Sequence, residues 1–531
     1  MPTSLYKWTL LFLIGRGFGI TSEKRNTRPG LLRGPGRVDI EHLLRDARGT
    51  KIPGCFMNLP AHKTRIVCTI GPASESPEVM DQLLLAGMNI ARLNFSHGVF
   101  EGHRQAIENL RGASRRTGRR LAIMADLPGL KMRIGAIAAE PVLLQPGDPF
   151  TLTTDPIVGD ATRASVDFLR LPASVRKGDT LYLNDGILRL EVEVVRGNDV
   201  ACRVMAGGEL RSRNGLNVPG VDLGIDAFTA RDQECLKFAL ENGVDAVSQS
   251  FVASEEDLHK VRRSARAAGR NPFLIAKIER AVALERIDGI LGAADGIMVA
   301  RGDLGVEIPI ERIAIEQKRL VHLANLLGKP VITATQMLES MTENARPTRA
   351  EATDVANAVI DGTDCVMLSS ESAVGRYPVE AVRTLARIAV AAEPYRTGQF
   401  VREAMKTVIE SGTAAPSDLV SMSIENVLAR MAVAAVVVPS RSGSTARQLA
   451  RFRFPVRITA ASTSEETCQG LQFSYGVHPE KLDVAPGDWR LWAKQWAAAQ
   501  GVPGDYLILI EGPSPDHPDV AQRLEVIDLR S

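Results

Sequence analysis

The feature that most constrains this chain is a repeat of eight short apolar, β-branched runs that predict strands. The runs are Arg65–Ile70, Met88–Leu93, Leu121–Ala125, Ala246–Ser250, Phe273–Lys277, Gly296–Ala300, Val331–Ala334 and Cys365–Leu368. Most are separated by segments with helical periodicity, which are Pro77–Ala86, His103–Thr117, Ala230–Glu241, Glu255–Ala268, Ile313–Leu327 and Pro378–Ala391. Consecutive strand–helix units of this number predict an α/β fold built as a (β/α)₈ TIM barrel.

Polar residues follow the predicted strands at their carboxyl ends, where barrels of this type carry their chemistry. These rim residues are Arg92, Asn94, Ser96, His97, Asp126, Lys277, Glu279, Arg301, Asp303, Thr335, Gln336, Ser369 and Glu371. Solvated loop charges after buried strands are the simpler alternative, since loops are usually polar. A lysine, a glutamate and an aspartate at the ends of adjacent strands predict a site for negative charge held through a divalent cation.

Six sequence motifs, in one order along the chain, carry a resemblance that runs from about Thr64 to near the C-terminus. They are Thr64–Ser74, Gly87–Gly98, Lys277–Glu279, Ala300–Gly305, Thr333–Ser340 and Arg346–Glu351. The motifs resemble those of the pyruvate kinase family. This resemblance implies transfer of a phosphoryl group from phosphoenolpyruvate to ADP, which gives pyruvate and ATP in glycolysis.

The resemblance also implies a role for each rim residue. Carboxylate oxygens for Mg²⁺ or Mn²⁺ come from Glu279 and Asp303. Catalytic roles fall to Lys277, Arg92, Arg133 and Thr335, the last through a water relay. Substrate contacts are expected from Arg92, Lys277, Ala300, Arg301, Gly302, Asp303 and Thr335, and nucleotide contacts from Asn94, His97 and Arg133. Structural ion pairs on the rim are the alternative for Arg301 and Glu371.

The loop after the third predicted strand departs from the family pattern. Potassium-dependent relatives have a glutamate where this chain has Lys131. The resemblance places their monovalent-cation site at residues that match Asn94, Ser96, Asp126 and the carbonyl of Leu127. An ammonium in this loop supplies the same unit charge and repels K⁺, so we expect activity without K⁺. A lysine that points to solvent is the alternative.

Pattern changes along the chain predict a domain organisation in which the barrel is interrupted. The barrel occupies residues 57–135 and 220–384, and period-two alternation with turn signals predicts a small inserted β domain at 136–219. The resemblance implies that this insertion is a β-barrel lid, which would exclude water from the rim. Residues 385–531 repeat strand and helix patterns and predict a separate C-terminal α/β domain.

The first 56 residues carry ten Lys or Arg and four Asp or Glu, with a stretch rich in Gly and Pro. We expect this N-terminal extension to be disordered and Met57 to be the start of the folded body. A signal peptide or a transit peptide is the alternative, although the segment lacks a clear cleavage site and contains acidic residues.

Two further features concern regulation and assembly. A Ser/Gly/Thr loop offers backbone N–H groups to a phosphate at a helix start, as expected for a phosphorylated effector; its residues are Ser440, Arg441, Ser442, Gly443, Ser444 and Thr445. Ordinary helix capping by serine or threonine is the alternative.

The stretch Thr342–Glu351 resembles the family's subunit-contact segment, which predicts a homotetramer.

Composition narrows the class of protein. A net charge of +2 argues against a nucleic-acid partner, and no apolar run is long enough to cross a membrane. Six scattered cysteines without a CxxC pair favour reduced thiols and a cytoplasmic location. The alternatives to an active enzyme of this family are a regulatory ligand-binding paralogue and a lyase acting on a 2-oxo acid.

Overall fold

The computed structural model describes residues 59–530 apart from 222–223, 225, 397 and 513–521. Its central element is a closed barrel of eight parallel strands, each paired with the next barrel strand along the chain. Numbered along the whole chain, these strands are β1 (Arg65–Thr69), β2 (Ile90–Asn94), β3 (Ala122–Asp126), β12 (Ala246–Gln249), β13 (Phe273–Ile278), β14 (Gly296–Ala300), β15 (Val331–Ala334) and β16 (Cys365–Leu368). The predicted (β/α)₈ barrel is confirmed.

Helices and short helical turns connect the barrel strands on the outside. They are α1 (Pro77–Ala86), α2 (Phe100–Thr117), α4 (Ala230–Glu241), α5 (Glu255–Ala267), α6 (Ala281–Glu285), α7 (Ile287–Ala293), α8 (Arg301–Glu307), α9 (Ile313–Leu326), α10 (Arg349–Asp361), α11 (Ser370–Ala373) and α12 (Pro378–Ala392), with 3₁₀ turns at Ile310–Arg312, Glu339–Thr342 and Glu393–Tyr395. Local sequence explains their ends well. For example, α1 starts with Pro77 after an N-cap by Ser76 and stops at Gly87, whose φ is 126°.

The barrel has two apolar layers. Its interior is filled by inward side chains such as Ile275, Met298 and Ile332, so the barrel is a packed core and not a pore. A larger cluster lies between the strands and the surrounding helices. Because the strands are parallel and in register, their carboxyl ends meet on one rim; Asn94, for instance, lies opposite Asp126.

Between β3 and β12 the chain forms the predicted insertion. Its strands are β4 (Val142–Leu144), β5 (Pro149–Thr153), β6 (Arg163–Ser165), β7 (Thr180–Leu183), β8 (Leu188–Arg196), β9 (Asp199–Ala206), β10 (Gly208–Leu210) and β11 (Leu216–Asn217), with the short helix α3 (Leu171–Ser174). Six of these strands make one sheet, and β4 pairs with β10 in a separate ribbon. Both contribute to one apolar cluster, in which alternate residues of β8 such as Leu188, Leu190 and Val192 are buried.

The C-terminal part contains a five-stranded sheet in the order β19-β18-β17-β20-β21. Its strands are β17 (Val433–Pro439), β18 (Arg457–Ser462), β19 (Val477–Lys481), β20 (Tyr506–Glu511) and β21 (Arg523–Asp528). Its helices are α13 (Gln399–Glu410), α14 (Pro416–Leu428), α15 (Ser444–Ala450), α16 (Glu465–Gly470) and α17 (Trp489–Gln500), with a 3₁₀ turn at Leu471–Phe473. The predicted α/β character of this part is confirmed, although β19, α13, α16 and α17 were not predicted.

Predicted element boundaries differ from the structure by a few residues. The second strand begins at Ile90 and not at Met88, because the N–H of Met88 bonds back to the carbonyl of Leu83 at the end of α1. The second helix begins at Phe100, three residues before the predicted start. The expected disorder of residues 1–56 and the start at Met57 lie outside the described residues. The predicted domain boundaries stay predictions.

Candidate active site

The carboxyl-end rim gathers the charged residues around Lys277, which lies near the end of β13. Its Nζ lies 2.8 Å from Glu279 Oε1, 3.3 Å from Asp126 Oδ1 and 2.7 Å from Ser250 Oγ. Burial alone would lower the pKa of Lys277, but the charges of Asp126 and Glu279 outweigh it and raise the pKa to about 12. The lysine is therefore a fixed positive charge at neutral pH.

Asp126 is the anionic anchor of the site. Its carboxylate is buried and accepts hydrogen bonds from Arg92 Nε at 2.8 Å and Ser248 Oγ at 2.7 Å. Burial would raise its pKa, but the charges of Lys277 and Arg92, with these hydrogen bonds, lower it. Arg92 Nη1 also donates to Thr69 Oγ1, so the guanidinium is held with 11% of its side chain exposed. The arginine is preorganised to receive an anion.

Glu279 and Asp303 supply the carboxylates expected for a divalent cation. Glu279 is buried and accepts from the N–H of Phe251 at 2.7 Å. Burial and the nearby charge of Asp303 raise its pKa, even though Lys277 opposes this. A divalent cation would stabilise the ionised form of this buried carboxylate against both burial and the charge of Asp303.

These donors fit Mg²⁺ or Mn²⁺. No group of three or more His, Cys, Asp or Glu suited to a metal occurs within the described part of the chain. Mg²⁺ is usually held by one or two carboxylates together with water and substrate oxygens, so two carboxylates are sufficient.

The loop after β15 has a strained backbone and contacts the loop after β14. Thr335 has φ of 68° and Gln336 has φ of 54°, which are unfavourable for a β-branched residue and uncommon elsewhere. Thr335 Oγ1 accepts the N–H of Gly302 at 2.9 Å and donates to the carbonyl of Ala334 at 2.7 Å. The hydroxyl is thereby placed beside the backbone that follows Ala300.

The side chain of Arg301 supports this loop. It donates to the carbonyl of Thr335 at 2.6 Å and that of Ala334 at 3.2 Å, and it pairs with Asp354 Oδ2 at 2.6 Å. The ion-pair alternative considered for Arg301 is therefore present, and its guanidinium is engaged with protein groups. Any contribution of Arg301 to substrate contact comes from its backbone.

Among the described residues, Glu371 forms hydrogen bonds with backbone groups and no ion pair. Its buried carboxylate accepts the N–H of Leu338 at 2.9 Å and that of Ser369 at 2.7 Å. These two backbone hydrogen bonds stabilise the carboxylate, and they tie the loop after β15 to the loop after β16. Glu371 is a structural residue of the rim.

The residues predicted for a monovalent cation have partners of their own. Asn94 Oδ1 accepts the N–H of Ser96 at 3.1 Å, and the carbonyl of Leu127 accepts Ser250 Oγ at 2.7 Å. Lys131 does not point to solvent alone: its Nζ lies 3.6 Å from Asp303 Oδ1 and 3.9 Å from Asp185 Oδ1. The lysine charge therefore lies on the Asp303 side of the site.

His97 lies among cations. Burial lowers its pKa, and the charges of Arg133, Arg92 and Lys131 lower it further. The histidine is therefore neutral at pH 7. Arg133 Nη1 donates to the carbonyl of Arg213 in the insertion at 3.0 Å. This concentration of positive charge suits a phosphate-bearing ligand.

Sequence reasoning missed the end of the fourth barrel strand. Ser248 lies near the end of β12 and donates to Asp126. Ser250 follows the strand, donates to the carbonyl of Leu127 and accepts from Lys277. The signal was present, because both serines interrupt an apolar strand on the same rim as the other polar residues. Asp354 and Asp185 were also missed, and nothing local in their sequence distinguishes them.

The predicted effector loop is ordered by its own side chains. Ser440 Oγ accepts the N–H of Gly443 at 2.9 Å, and Arg447 donates to the carbonyl of Ser442 at 2.7 Å. Gly443 has φ of 79° and precedes α15. The N-cap of α15 is Gly443 and no side-chain cap hydrogen bond is present, so capping by serine or threonine is not borne out, and the effector role stays a prediction.

A cavity of about 1480 Å³ lies at the opposite end of the barrel. It is lined by residues that precede the strands, such as Asn89, Leu121 and Asp245, and not by the rim residues. In a (β/α)₈ barrel the chemistry takes place at the carboxyl ends of the strands, so we assign the active site to the rim.

Within the described residues, no helix is both long and apolar enough to cross a membrane.

Comparison with known proteins gives two matches to family models. The family described as "Pyruvate kinase, barrel domain" matches residues 61–382, and "Pyruvate kinase, alpha/beta domain" matches residues 418–527. A pyruvate kinase of Thermococcus litoralis is 48% identical over 430 residues, which cover 80% of this chain and 90% of the relative. One of Geobacillus stearothermophilus is 42% identical over 438 residues, covering 80% and 74%. One of Mycobacterium intracellulare is 40% identical over 426 residues, covering 78% and 87%.

Proposed function

Because this chain belongs to the pyruvate kinase family, we propose that it transfers the phosphoryl group of phosphoenolpyruvate to ADP, giving pyruvate and ATP in glycolysis. The observation that carries the proposal is the buried charge cluster in which Lys277 is shared by Asp126 and Glu279. Phosphoryl transfer depends mainly on positioning and on stabilising developing charge, and this cluster is built for both.

The divalent cation, Mg²⁺ or Mn²⁺, would be held by Glu279 and Asp303. When bound, it supplies positive charge to substrate oxygens that the side chains alone do not provide. The raised pKa of Glu279 supports this role, since burial and the charge of Asp303 together outweigh the contact with Lys277 and a divalent cation would offset them.

The chain's own residues divide the remaining work. Lys277 places a compact charge against the transferring phosphoryl and the enolate that develops as the bond to oxygen breaks. Arg92, fixed by Asp126, holds phosphate oxygens. The backbone of Ala300, Arg301 and Gly302 lies beside the substrate carboxylate in this proposal. The hydroxyl of Thr335 is a poor acid, so it orients a water that protonates the enolate carbon.

The nucleotide would lie where Asn94, His97 and Arg133 meet the insertion. The cations near His97 and the contact between Arg133 and the insertion support this placement. The insertion then serves as a lid that excludes water during transfer.

A coupled assay of ADP- and phosphoenolpyruvate-dependent pyruvate formation tests the activity. We expect turnover that requires Mg²⁺ or Mn²⁺ and falls by orders of magnitude in Glu279→Gln and Asp303→Asn. A regulatory paralogue would bind phosphoenolpyruvate without turnover, and a lyase would form its product without ADP. Wild-type activity in either variant at low Mg²⁺ would contradict the assignment of the metal ligands.

We propose that the reaction does not require K⁺. Lys131 carries a positive charge into the site beside Asp303 and close enough to lower the pKa of His97. Turnover is therefore expected in buffer free of Na⁺ and K⁺, with tetramethylammonium holding the ionic strength constant. Lys131→Glu is expected to create a dependence on K⁺. A large rise of wild-type activity on adding KCl would refute this proposal.

Assembly, regulation and location are proposals of the same kind. The segment Thr342–Glu351 is proposed to form a subunit contact of a homotetramer in the cytoplasm. A monomer by light scattering at micromolar concentration would contradict the assembly.

The effector loop is tested with phosphorylated metabolites. Activation of the wild type but not of an Arg441→Ala, Ser442→Ala variant would support the loop, and equal activation of both proteins would exclude it.

A further inference from the structure

Lys131 lies between two carboxylates that belong to different parts of the fold. Asp303 is on α8 of the barrel rim, and Asp185 is at the tip of the β7–β8 hairpin of the insertion. The side chains of Lys131, Asp303 and Asp185 are 30%, 24% and 73% exposed. One ammonium is therefore common to a proposed metal ligand and to the inserted sheet.

The hairpin tip, residues 184–187, has a defined conformation. Asn184 and Asp185 have φ of 54° and 51°, in the left-handed region that Asn and Asp tolerate better than most residues. The N–H of Asn184 donates to the carbonyl of Gly215 at 3.2 Å, and Asn214 Nδ2 donates to Asn184 Oδ1 at 3.1 Å. These bonds fix the backbone of the hairpin tip next to Asp185.

The hairpin tip also contacts the helix that carries Asp303. A Cβ added at Gly186 would lie 3.3 Å from Val306 Cγ2 on α8. A Cβ added at Gly215 would lie 3.2 Å from Lys131 Cε and 3.8 Å from Asp185 Oδ1. Tip, lysine and helix therefore meet at one point, and glycine permits the close approach.

The loop that carries Lys131 is itself held in place. Gly129 has φ of 60°, and its N–H donates to the buried Asp232 Oδ1 at 2.8 Å. A Cβ there would come within 2.9 Å of Ser250 Cβ. The backbone of the loop is thus fixed, and the lysine side chain reaches both carboxylates from this base.

We propose that Lys131 is a positioning residue that couples divalent-cation binding at Asp303 to docking of the hairpin tip. The proposal rests on the proposed role of Asp303 as a metal ligand. A divalent cation and an ammonium compete for the same carboxylate, since like charges repel. The cation displaces the ammonium from Asp303 and leaves Asp185 as its carboxylate partner. Because coupling is reciprocal, a docked tip in turn favours cation binding.

Two measurements on the full chain test the coupling without relying on turnover. One is the Mn²⁺ dissociation constant, from the electron paramagnetic resonance signal of free Mn²⁺. The other is hydrogen exchange of the hairpin tip with and without Mn²⁺. The variants are Lys131→Met, Asp185→Asn and the double variant. Lys237→Met and Glu191→Gln serve as matched controls, because both residues are exposed and lie away from the site.

The expected result has three parts. Mn²⁺ slows exchange of the wild-type tip about fivefold, and this effect disappears in Lys131→Met and in Asp185→Asn. Lys131→Met binds Mn²⁺ about fivefold more tightly, because a competing like charge is gone. Asp185→Asn binds it about threefold more weakly in the wild-type background, since the ammonium loses its second partner, and has no effect in the Lys131→Met background.

Opposite results separate the coupling from the proposed function. If Asp303→Asn leaves Mn²⁺ binding unchanged, the metal site itself is misassigned. If Asp303→Asn abolishes Mn²⁺ binding but tip protection persists in Lys131→Met, the coupling is wrong and the metal site stands. Equal effects of Asp185→Asn with and without Lys131 would also overturn the coupling.

Discussion

The two ends of the barrel both bury charged side chains, but they balance the charges in opposite ways. At the carboxyl end, burial and the charge of Asp303 raise the pKa of Glu279 although Lys277 lies beside it, so the two carboxylates Glu279 and Asp303 favour a further cation. At the amino end, burial and neighbouring cations lower the pKa of Arg65 to about 10 and that of Arg396 to about 9. That end has an excess of cations. The rim is therefore suited to bind a further cation, while the opposite end is not.

The buried acids at the amino end are fully engaged by the chain. Asp364 accepts Arg453 Nη1 at 2.6 Å, Arg453 Nη2 at 2.9 Å and the N–H of Tyr475 at 2.9 Å, which connects the barrel to the C-terminal part. Glu393 accepts two backbone N–H groups at 2.7 Å. Such complete pairing is typical of structure, so we expect mutations at this end to change stability and those at the rim to change chemistry.

The largest expected effect is that of Lys277→Met on turnover. The variant lacks the charge that stabilises the developing enolate, so kcat should fall by about 10³-fold or more. The structure adds a stability cost of about 3–5 kcal/mol, because Asp126 and Glu279 lose a buried cationic partner. That cost should shrink as the pH falls toward about 4, where unpaired carboxylates take up protons.

Steady-state kinetics and urea unfolding at pH 7.5 and 5 measure both effects. Lys277→Arg is the matched control, since it keeps the charge but not the compact ammonium; it should recover much of the stability and little of the turnover. Wild-type turnover in Lys277→Met would contradict the assignment of the rim as the active site.

The second effect concerns the amino end. Arg453→Met should lower the free energy of unfolding by about 3–5 kcal/mol, because Asp364 remains buried without its cationic partner. At temperatures where the variant is folded, kcat and the KM for phosphoenolpyruvate should stay close to wild type. Thermal denaturation and kinetics at 20 °C measure this contrast with Lys277→Met. A large loss of kcat in the folded variant would break the comparison between the two ends.

The third effect is an acid sensitivity of the amino end. Burial lowers the pKa of His62 from 6.5 to about 4, and Arg65 adds to this. Below pH 6.5 the unfolded chain takes up a proton that the folded chain does not, so stability falls as the pH drops from 6.5 to 4. Between pH 6.5 and 4, the free energy of unfolding should fall by about 3 kcal/mol less in His62→Gln than in the wild type. Parallel pH dependences of the unfolding free energy in the two proteins would refute it.

The barrel was predictable because its signals are local. The strands Gly296–Ala300, Val331–Ala334 and Cys365–Leu368 agree residue by residue with the apolar runs, since a parallel strand buried on both faces reads as a continuous run. The strand Val477–Lys481 was missed because His478, Pro479 and Glu480 break the apolar pattern. Proline is tolerated there because the strand lies at the edge of its sheet.

The site was predictable in its members but not in their contacts. Family motifs led to Lys277, Glu279 and Asp303, whose roles remain proposals. No sequence signal indicates that Lys131 faces Asp303 and Asp185, because this depends on how the hairpin of the insertion meets the barrel. The positive φ of Thr335 was equally hidden, since a β-branched residue argues against such a conformation.

The smallest effect we predict is that of Asp354→Asn, a substitution that influences the rim loop only through Arg301. Asp354 pairs with Arg301, and Arg301 in turn holds the carbonyls of Ala334 and Thr335. The neutral amide should anchor the guanidinium less firmly and relax the strained φ of Thr335, which shifts the hydroxyl that orients the protonating water. We expect kcat to fall about tenfold with little change in the KM for ADP.

Two matched measurements distinguish positioning from a general loss of stability in Asp354→Asn. Solvent deuterium isotope effects on kcat should increase in this variant, because proton delivery becomes slower than the other steps, and they should stay at the wild-type value in Arg453→Met. Asp354→Glu keeps the charge and should recover most of kcat. If Asp354→Asn lowers the unfolding free energy like Arg453→Met and leaves kcat unchanged, the rim loop is held without Arg301, and the division between a structural end and a chemical end needs a different boundary.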